Sequence, residues 1–187
     1  MATSRELAMR GVQHVVLERG AEVGHSWINA YDSLTLHTGK HMSGLPGMRL
    51  PKSAPLFVPR AEFVRYLQEY ARHFALPVRT GWDVRGVARI TSGDSRWRVR
   101  SATTKGEATI ECRDLVVASG IMANPRTPQM PGAETYTRAG GRLMHSADYR
   151  RPNDLVGKRV LVVGVGNSGG EIASELARAG NGNGKVM

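Results

Sequence analysis

The sequence predicts an α/β fold, and three observations carry that expectation. An apolar run at residues 159–163 leads through a glycine-rich turn into a helical pattern over 168–179, the order of strand, tight turn and helix. A second apolar run, HVVLE at residues 14–18, follows a helical pattern over 4–10 and a breaking Gly11. Between them, residues 82–113 hold three runs of strand character, WDVRGVARI, SRWRVRS and ATIEC, separated by turn residues as in a β-meander.

The remaining elements follow in chain order. Residues 19–59 are rich in glycine and proline with no sustained period, so a long irregular stretch is expected, and a loop of that length within a compact domain is usually functional. Residues 60–75 place Phe63, Leu67, Tyr70 and Phe74 on one side of a helix. Within the meander, Arg96, Arg98 and Arg100 alternate with Trp97 and Val99, which predicts a strand with the arginines outward. A short apolar strand is expected at 114–118, ending at Ser119-Gly120, and Pro125, Pro128, Pro131 and Gly132 mark a linker.

Composition narrows the function classes. The 187 residues carry 26 Lys plus Arg against 16 Asp plus Glu, a formal net charge of +10. The cations are scattered rather than gathered in one run, so a half-exposed strand is favoured over a nucleic-acid stripe, and no nucleic-acid partner is expected. One cysteine excludes an internal disulfide framework or a Cys-rich zinc site, and no metal site is expected. No apolar run approaches the roughly 20 residues that span a bilayer, so no membrane partner is expected. The first ten residues carry both charge signs without a signal-peptide stretch, which suggests the reducing cytoplasm.

The sharpest local signal is RVLVVGVGNSGGEIASELA, with Gly164-x-Gly166-x-x-Gly169 between an apolar strand pattern and an amphipathic helix. Gly164 permits the tight turn, Gly166 lets a pyrophosphate approach the backbone, and Gly169 lets helix and strand pack closely. The N–H groups at the helix start then face the phosphates, and Ser168 lies among them. The same residues spell Gly166-x-Ser168-x-Gly170, the elbow of serine hydrolases, which needs an acid and then a histidine downstream. His145 is the last histidine, so the triad order fails and acyl transfer is disfavoured. Glu18, at the end of HVVLE, stands where an acid holds a ribose in a dinucleotide fold, although read alone it is a surface charge at a strand end.

Read as an ordered set, the motifs are more specific than any one of them. The set runs GVQHVVLERG, Gly24-His25-Ser26-Trp27, YDSLTLHTGKHMSGLPGMRLP, PRAEFVRYLQEYA, DLVVASGIMANPRTP, Gly141-x-x-x-His145-x-x-x-Tyr149, and the glycine turn. It resembles the flavin-containing monooxygenases, the YUCCA-like and N-hydroxylating flavoproteins with two dinucleotide folds, along essentially the whole chain. Tyr149, where Baeyer–Villiger enzymes carry Trp, favours the monooxygenase side.

The resemblance implies a two-dinucleotide-binding-domain flavoprotein, with a Rossmann-like FAD fold and β-meander over 1–120. A linker with the identifying motif would cover 121–154, and the start of a Rossmann-like NADPH fold 155–187. It implies Glu18 on the adenosine ribose of FAD, with Gly24, Ser26, Trp27, His37 and Thr38 along the flavin side. Ser119 and Gly120 match the turn where the chain leaves the FAD fold, and Gly164, Gly166, Ser168 and Gly169 would cradle the NADPH pyrophosphate. The implied chemistry uses molecular oxygen and a flavin C4a-(hydro)peroxide to oxygenate a small organic substrate, with no catalytic side chain assigned. His145 and Tyr149 would either pack between the folds or contact a cofactor. The family's first strand and its Gly-x-Gly-x-x-Gly have no counterpart ahead of HVVLE, so the resemblance implies an incomplete form. Ala139 also replaces an aromatic in the identifying motif, and Ser119 the usual Thr. Two alternatives stand beside this reading: another two-dinucleotide FAD/NAD(P) oxidoreductase of the disulfide-reductase type, and an inactive interaction module.

Overall fold

Helix α4 (Arg60–His73) is the centrepiece of the first half of the chain, and its sequence explains its limits. Pro59 precedes it in extended backbone, Glu62 lies in the first turn and Arg72 and His73 in the last, a charge order that suits the helix dipole. Phe63, Val64, Tyr66, Leu67 and Tyr70 bury one face. The helix stops where Ala75 takes a positive φ of 46° ahead of Pro77. The computed structural model of the chain describes residues 1–91, 93–120 and 123–180, and these form two compact units.

The first unit is Met1–Ile28 with Leu36–Ala123. It contains α1 (Ala2–Met9), β1 (Val16–Leu17), α2 (His25–Ile28), α3 (Lys40–Ser43), α4 and β2 (Val78–Arg79). The meander follows as β3 (Trp82–Arg89), β4 (Trp97–Thr103) and β5 (Gly106–Cys112). Its core gathers Leu36, Leu50, Ala54 and Val58 from the irregular stretch against Phe63, Tyr66, Leu67, Tyr70 and Leu76. The long stretch is thus ordered by burial and by backbone bonds rather than by regular structure. The Tyr66 hydroxyl accepts from Leu45 N–H at 2.6 Å and donates to Met48 C=O at 2.7 Å, and the Tyr70 hydroxyl donates to Pro46 C=O at 2.7 Å. Lys40 Nζ donates to the carbonyls of Lys52 and Ala54 at 2.7 and 2.5 Å, and Arg60 to those of Trp27 and Ile28.

Strands β1 and β2 pair in parallel, Val16 opposite Val78 and Leu17 opposite Arg79. The expected strand at 14–18 therefore shortens to two residues. The meander forms as expected, in the antiparallel order β3-β4-β5. A register shift between Val84 and Gly86 bends β3. Arg98 and Arg100 are exposed while Val99 is buried between Val87 and Ile110. Arg98 pairs with Glu111 at 2.8 Å across the strands.

The second unit is Asn29–Thr35 with the residues from Asn124 onward. It holds α5 (Ala133–Arg138), two short 3-10 turns at Ser146–Asp148 and Asn153–Leu155, and α6 (Asn167–Ala179). Its core is Tyr31, Tyr149, Ile172 and Leu176, with Leu34, Met144, Leu155, Val160 and Val162 against it. Tyr149 is thus a packing residue of this unit, 3% exposed, and His145 Nδ1 accepts the Ala147 N–H at the start of a 3-10 turn.

Two expected strands need correction. Among the described residues, neither 114–118 nor 159–163 joins a sheet. Val116 and Val117 are 62% and 77% exposed; along the second run Val160 and Val162 face the core while Leu161 and Val163 are exposed. An apolar run marks where a strand can form, but a strand exists only through ladder bonds to a neighbour; among the described residues neither run has a ladder, and Val160 makes only an isolated bridge.

Candidate functional site

The glycine turn between Val163 and α6 has the geometry its sequence calls for. Gly164 takes a positive φ of 104°, which favours glycine. A Cβ on Gly169 would lie 2.1 Å from the Gly164 carbonyl oxygen, so only glycine allows helix and turn to touch there. Around Gly166 nothing lies within 4 Å of a built Cβ, which leaves its backbone open to an approaching group. Gly166 is the N-cap of α6 in extended backbone, without a side-chain cap, and the first helical turn holds no acidic residue. The positive end of the helix is therefore unopposed, as an anion site requires. The three glycines play three different geometric parts, and the turn has the chemistry to accept a pyrophosphate through backbone N–H groups.

In the first unit, Glu18 follows β1. Its N–H donates to Arg79 C=O, and its own C=O accepts from Trp82 N–H, so the backbone on both sides of the residue is held. The carboxylate Oε1 accepts the Gly20 N–H at 2.8 Å, which orients the side chain at the end of the parallel pair. Gly20 is buried against His25, whose ring would lie 2.3 Å from an added Cβ, so the chain turns tightly from Glu18 into α2. Gly24 opens α2 with a φ of 89° and Ser26 on that helix is exposed.

The other expected residues divide by environment. Trp27 faces the core, edge-on to Phe63 with ring centroids 4.8 Å apart. His37 and Thr38 are exposed, and the Thr38 hydroxyl bonds Ser43 at 2.7 Å. Ser119 and Gly120 are exposed, with Gly120 at a φ of 79°. Of the residues expected at FAD, Glu18 is tied to Gly20, which packs on His25 of α2, while Gly24 packs near Val64 and Leu67.

Sequence reasoning missed a hydrogen-bonded set on α6. The Tyr31 hydroxyl donates to Glu171 Oε2, and the Tyr149 hydroxyl donates to Glu175 Oε2 at 2.7 Å. Burial, then the Glu171 hydrogen bond and charge, raise the Tyr31 hydroxyl well above the ordinary phenol value, while a hydrogen bond from Ser168 opposes the rise. Burial and then Glu175 raise Tyr149 in the same direction. Both tyrosines are thereby fixed as neutral donors. The one signal in the sequence is the Glu171/Glu175 spacing of four, which puts two acids on one helix face.

Comparison with known proteins places these features in a family. The chain belongs to the pyridine nucleotide-disulphide oxidoreductases, whose family pattern matches residues 1–183. Within that class its similarity is to flavin monooxygenases. It is 36% identical over 179 residues to the probable indole-3-pyruvate monooxygenase YUCCA1 of Arabidopsis thaliana, matching 95% of this chain and 42% of that protein. It is 38% identical over 189 residues to indole-3-pyruvate monooxygenase YUCCA4 of Oryza sativa subsp. japonica, matching 94% of this chain and 42% of that protein. A flavin-containing monooxygenase from Stenotrophomonas maltophilia superposes with a TM-score of 0.83 at 30% identity, covering 99% of this chain and 53% of that one. The S-allyl-L-cysteine S-oxygenase of Allium sativum shares the fold, with a TM-score of 0.84 at 23% identity. The chain thus spans less than half the length of the curated relatives it matches. The flavin monooxygenase kinship and the α/β flavoprotein fold expected from the motifs are borne out.

Proposed function

We propose that this chain carries the dinucleotide-handling elements of a cytoplasmic FAD- and NADPH-dependent monooxygenase that oxygenates a small organic substrate with molecular oxygen. The observation that carries the reading is the glycine turn at 164–169, with its positive φ, its open Gly166 and its close Gly169 contact, in a chain whose relatives are flavin monooxygenases. The names of those relatives make indole-3-pyruvate the first substrate to try.

The residues fit the nicotinamide dinucleotide well. Backbone N–H groups at Gly166–Gly169 would hold the pyrophosphate at the positive end of α6, and the lack of an acid in the first turn avoids repulsion. They fit FAD in part. Glu18, oriented by the Gly20 N–H, would hold the adenosine ribose, but residues 1–13 offer no second glycine turn for its pyrophosphate. When bound, FAD supplies the redox chemistry and the activation of oxygen. The contribution of these residues is to bind, orient and shield; none is assigned a proton transfer.

The disulfide-reductase reading is weaker on one observation. Cys112 is the only cysteine in the 187 residues and lies at the end of β5, its thiol raised first by burial and then by Asp114. Within these 187 residues a lone thiol held protonated supplies neither the partner nor the thiolate that disulfide exchange uses.

The test is spectroscopic. The purified chain is incubated with FAD, desalted and scanned in the visible, then given NADPH without oxygen. Retained flavin that bleaches with NADPH supports the proposal. A colourless protein, or a flavin that NADPH leaves oxidised, contradicts it.

A further inference from the structure

Two tyrosines distant in sequence bond acids of α6, and one of them lies a helical turn nearer the glycine turn. Glu171 and Glu175 lie one helical turn apart. The Tyr149 hydroxyl bonds Glu175, farther along the helix. The Tyr31 hydroxyl bonds Glu171, two residues after Gly169 and nearer the glycine turn. Tyr31 is 5% exposed and packs with Tyr149, Ile172 and Leu176, its ring 6.3 Å from that of Tyr149. It comes from Asn29–Thr35, the short stretch that belongs to the second unit although the sequence on either side belongs to the first. The direction of the backbone N–H groups in the glycine turn depends on how the first turn of α6 is fixed.

We propose that Tyr31 is a positioning residue for the dinucleotide turn, its buried hydroxyl anchoring Glu171 and thereby setting the first turn of α6 so that its N–H groups converge on the pyrophosphate. This rests on the reading of 164–169 as the NADPH site. Tyr149 makes the same type of bond one turn later, farther from the glycine turn, and so serves as an internal comparison.

The experiment uses the full chain and its Tyr31→Phe and Tyr149→Phe variants, each of which keeps its ring and loses one hydroxyl bond to a carboxylate. Affinity for NADP+ is measured by calorimetry, and amide hydrogen exchange is followed over residues 166–170. Tyr31→Phe is expected to weaken NADP+ about tenfold, the factor one charge-assisted hydrogen bond carries. Exchange should quicken over the first turn in the same variant. Tyr149→Phe is expected to hold the affinity within about twofold and leave that exchange unchanged. A purely structural role would shift both variants alike, and that result, or an unchanged Tyr31→Phe affinity, overturns the proposal. If the unaltered chain binds no NADP+, the nucleotide reading itself fails. Exchange then decides the positioning claim: quickening confined to Tyr31→Phe upholds it, and equal exchange in the two variants overturns it.

Discussion

Adjacent glycines in the first turn of α6 should respond to alanine with opposite signs. A Cβ at Gly169 would sit 2.1 Å from the Gly164 carbonyl oxygen and 3.0 Å from its carbonyl carbon, whereas at Gly170 nothing lies within 4 Å. The neighbour of Gly169 is backbone, so relief requires the helix or turn to move by about 1 Å, and overpacking of that kind costs about 1–3 kcal/mol. Alanine in place of glycine gains about 1 kcal/mol of helix propensity at either position. Gly170→Ala is therefore expected to stabilise by about 1 kcal/mol, raising the melting temperature by about 2–4 °C for a chain of this size. For Gly169→Ala the two effects leave a net loss of about 0–2 kcal/mol. The propensity gain cancels between the variants, so their difference reads the steric cost alone, about 1–3 kcal/mol. Thermal and urea melts followed by far-UV circular dichroism measure it. A Gly169→Ala variant as stable as Gly170→Ala would refute the close contact and, with it, the assignment of three distinct parts to the three glycines.

Three further outcomes follow from the same structure. Tyr66→Phe leaves the half-buried Leu45 N–H and Met48 C=O without their shared hydroxyl, and the melt should show a loss of about 1 kcal/mol. Stability should also fall in alkali. Tyr31 and Tyr149 both have folded values raised above the ordinary 10.0, so the unfolded chain loses these protons first; their contribution is full below pH 10 and is lost as pH rises above it. Melting temperature against pH should show that decline, and the Tyr31→Phe/Tyr149→Phe double variant should flatten it. Glu18→Ala removes the carboxylate that Gly20 orients, and FAD titration should show about a tenfold loss of affinity if it holds the ribose.

Elements that carry their own periodicity were legible in the sequence. The face of α4 and the alternation in β4 state which side is buried, and the structure buries Phe63, Leu67, Tyr70 and Val99 accordingly. The glycine turn was equally legible, because positive φ, open backbone and close packing each demand the absence of a side chain. The runs at 114–118 and 159–163 misled because apolar composition is local while a ladder is not. Tyr31 escaped notice for a related reason: it lies in an aperiodic stretch and bonds a residue 140 positions away. The order in the loop itself, built from Tyr66, Tyr70 and Lys40 bonds to backbone carbonyls, has no short-range signature either.

Calorimetric titration of the unaltered chain with NADP+ decides whether residues 164–169 work as a dinucleotide cradle. Saturable binding of one NADP+ per chain is expected, weakened when Gly169 becomes alanine and unchanged when Gly170 does. A chain that folds, as judged by circular dichroism, yet takes up no NADP+ would contradict that role.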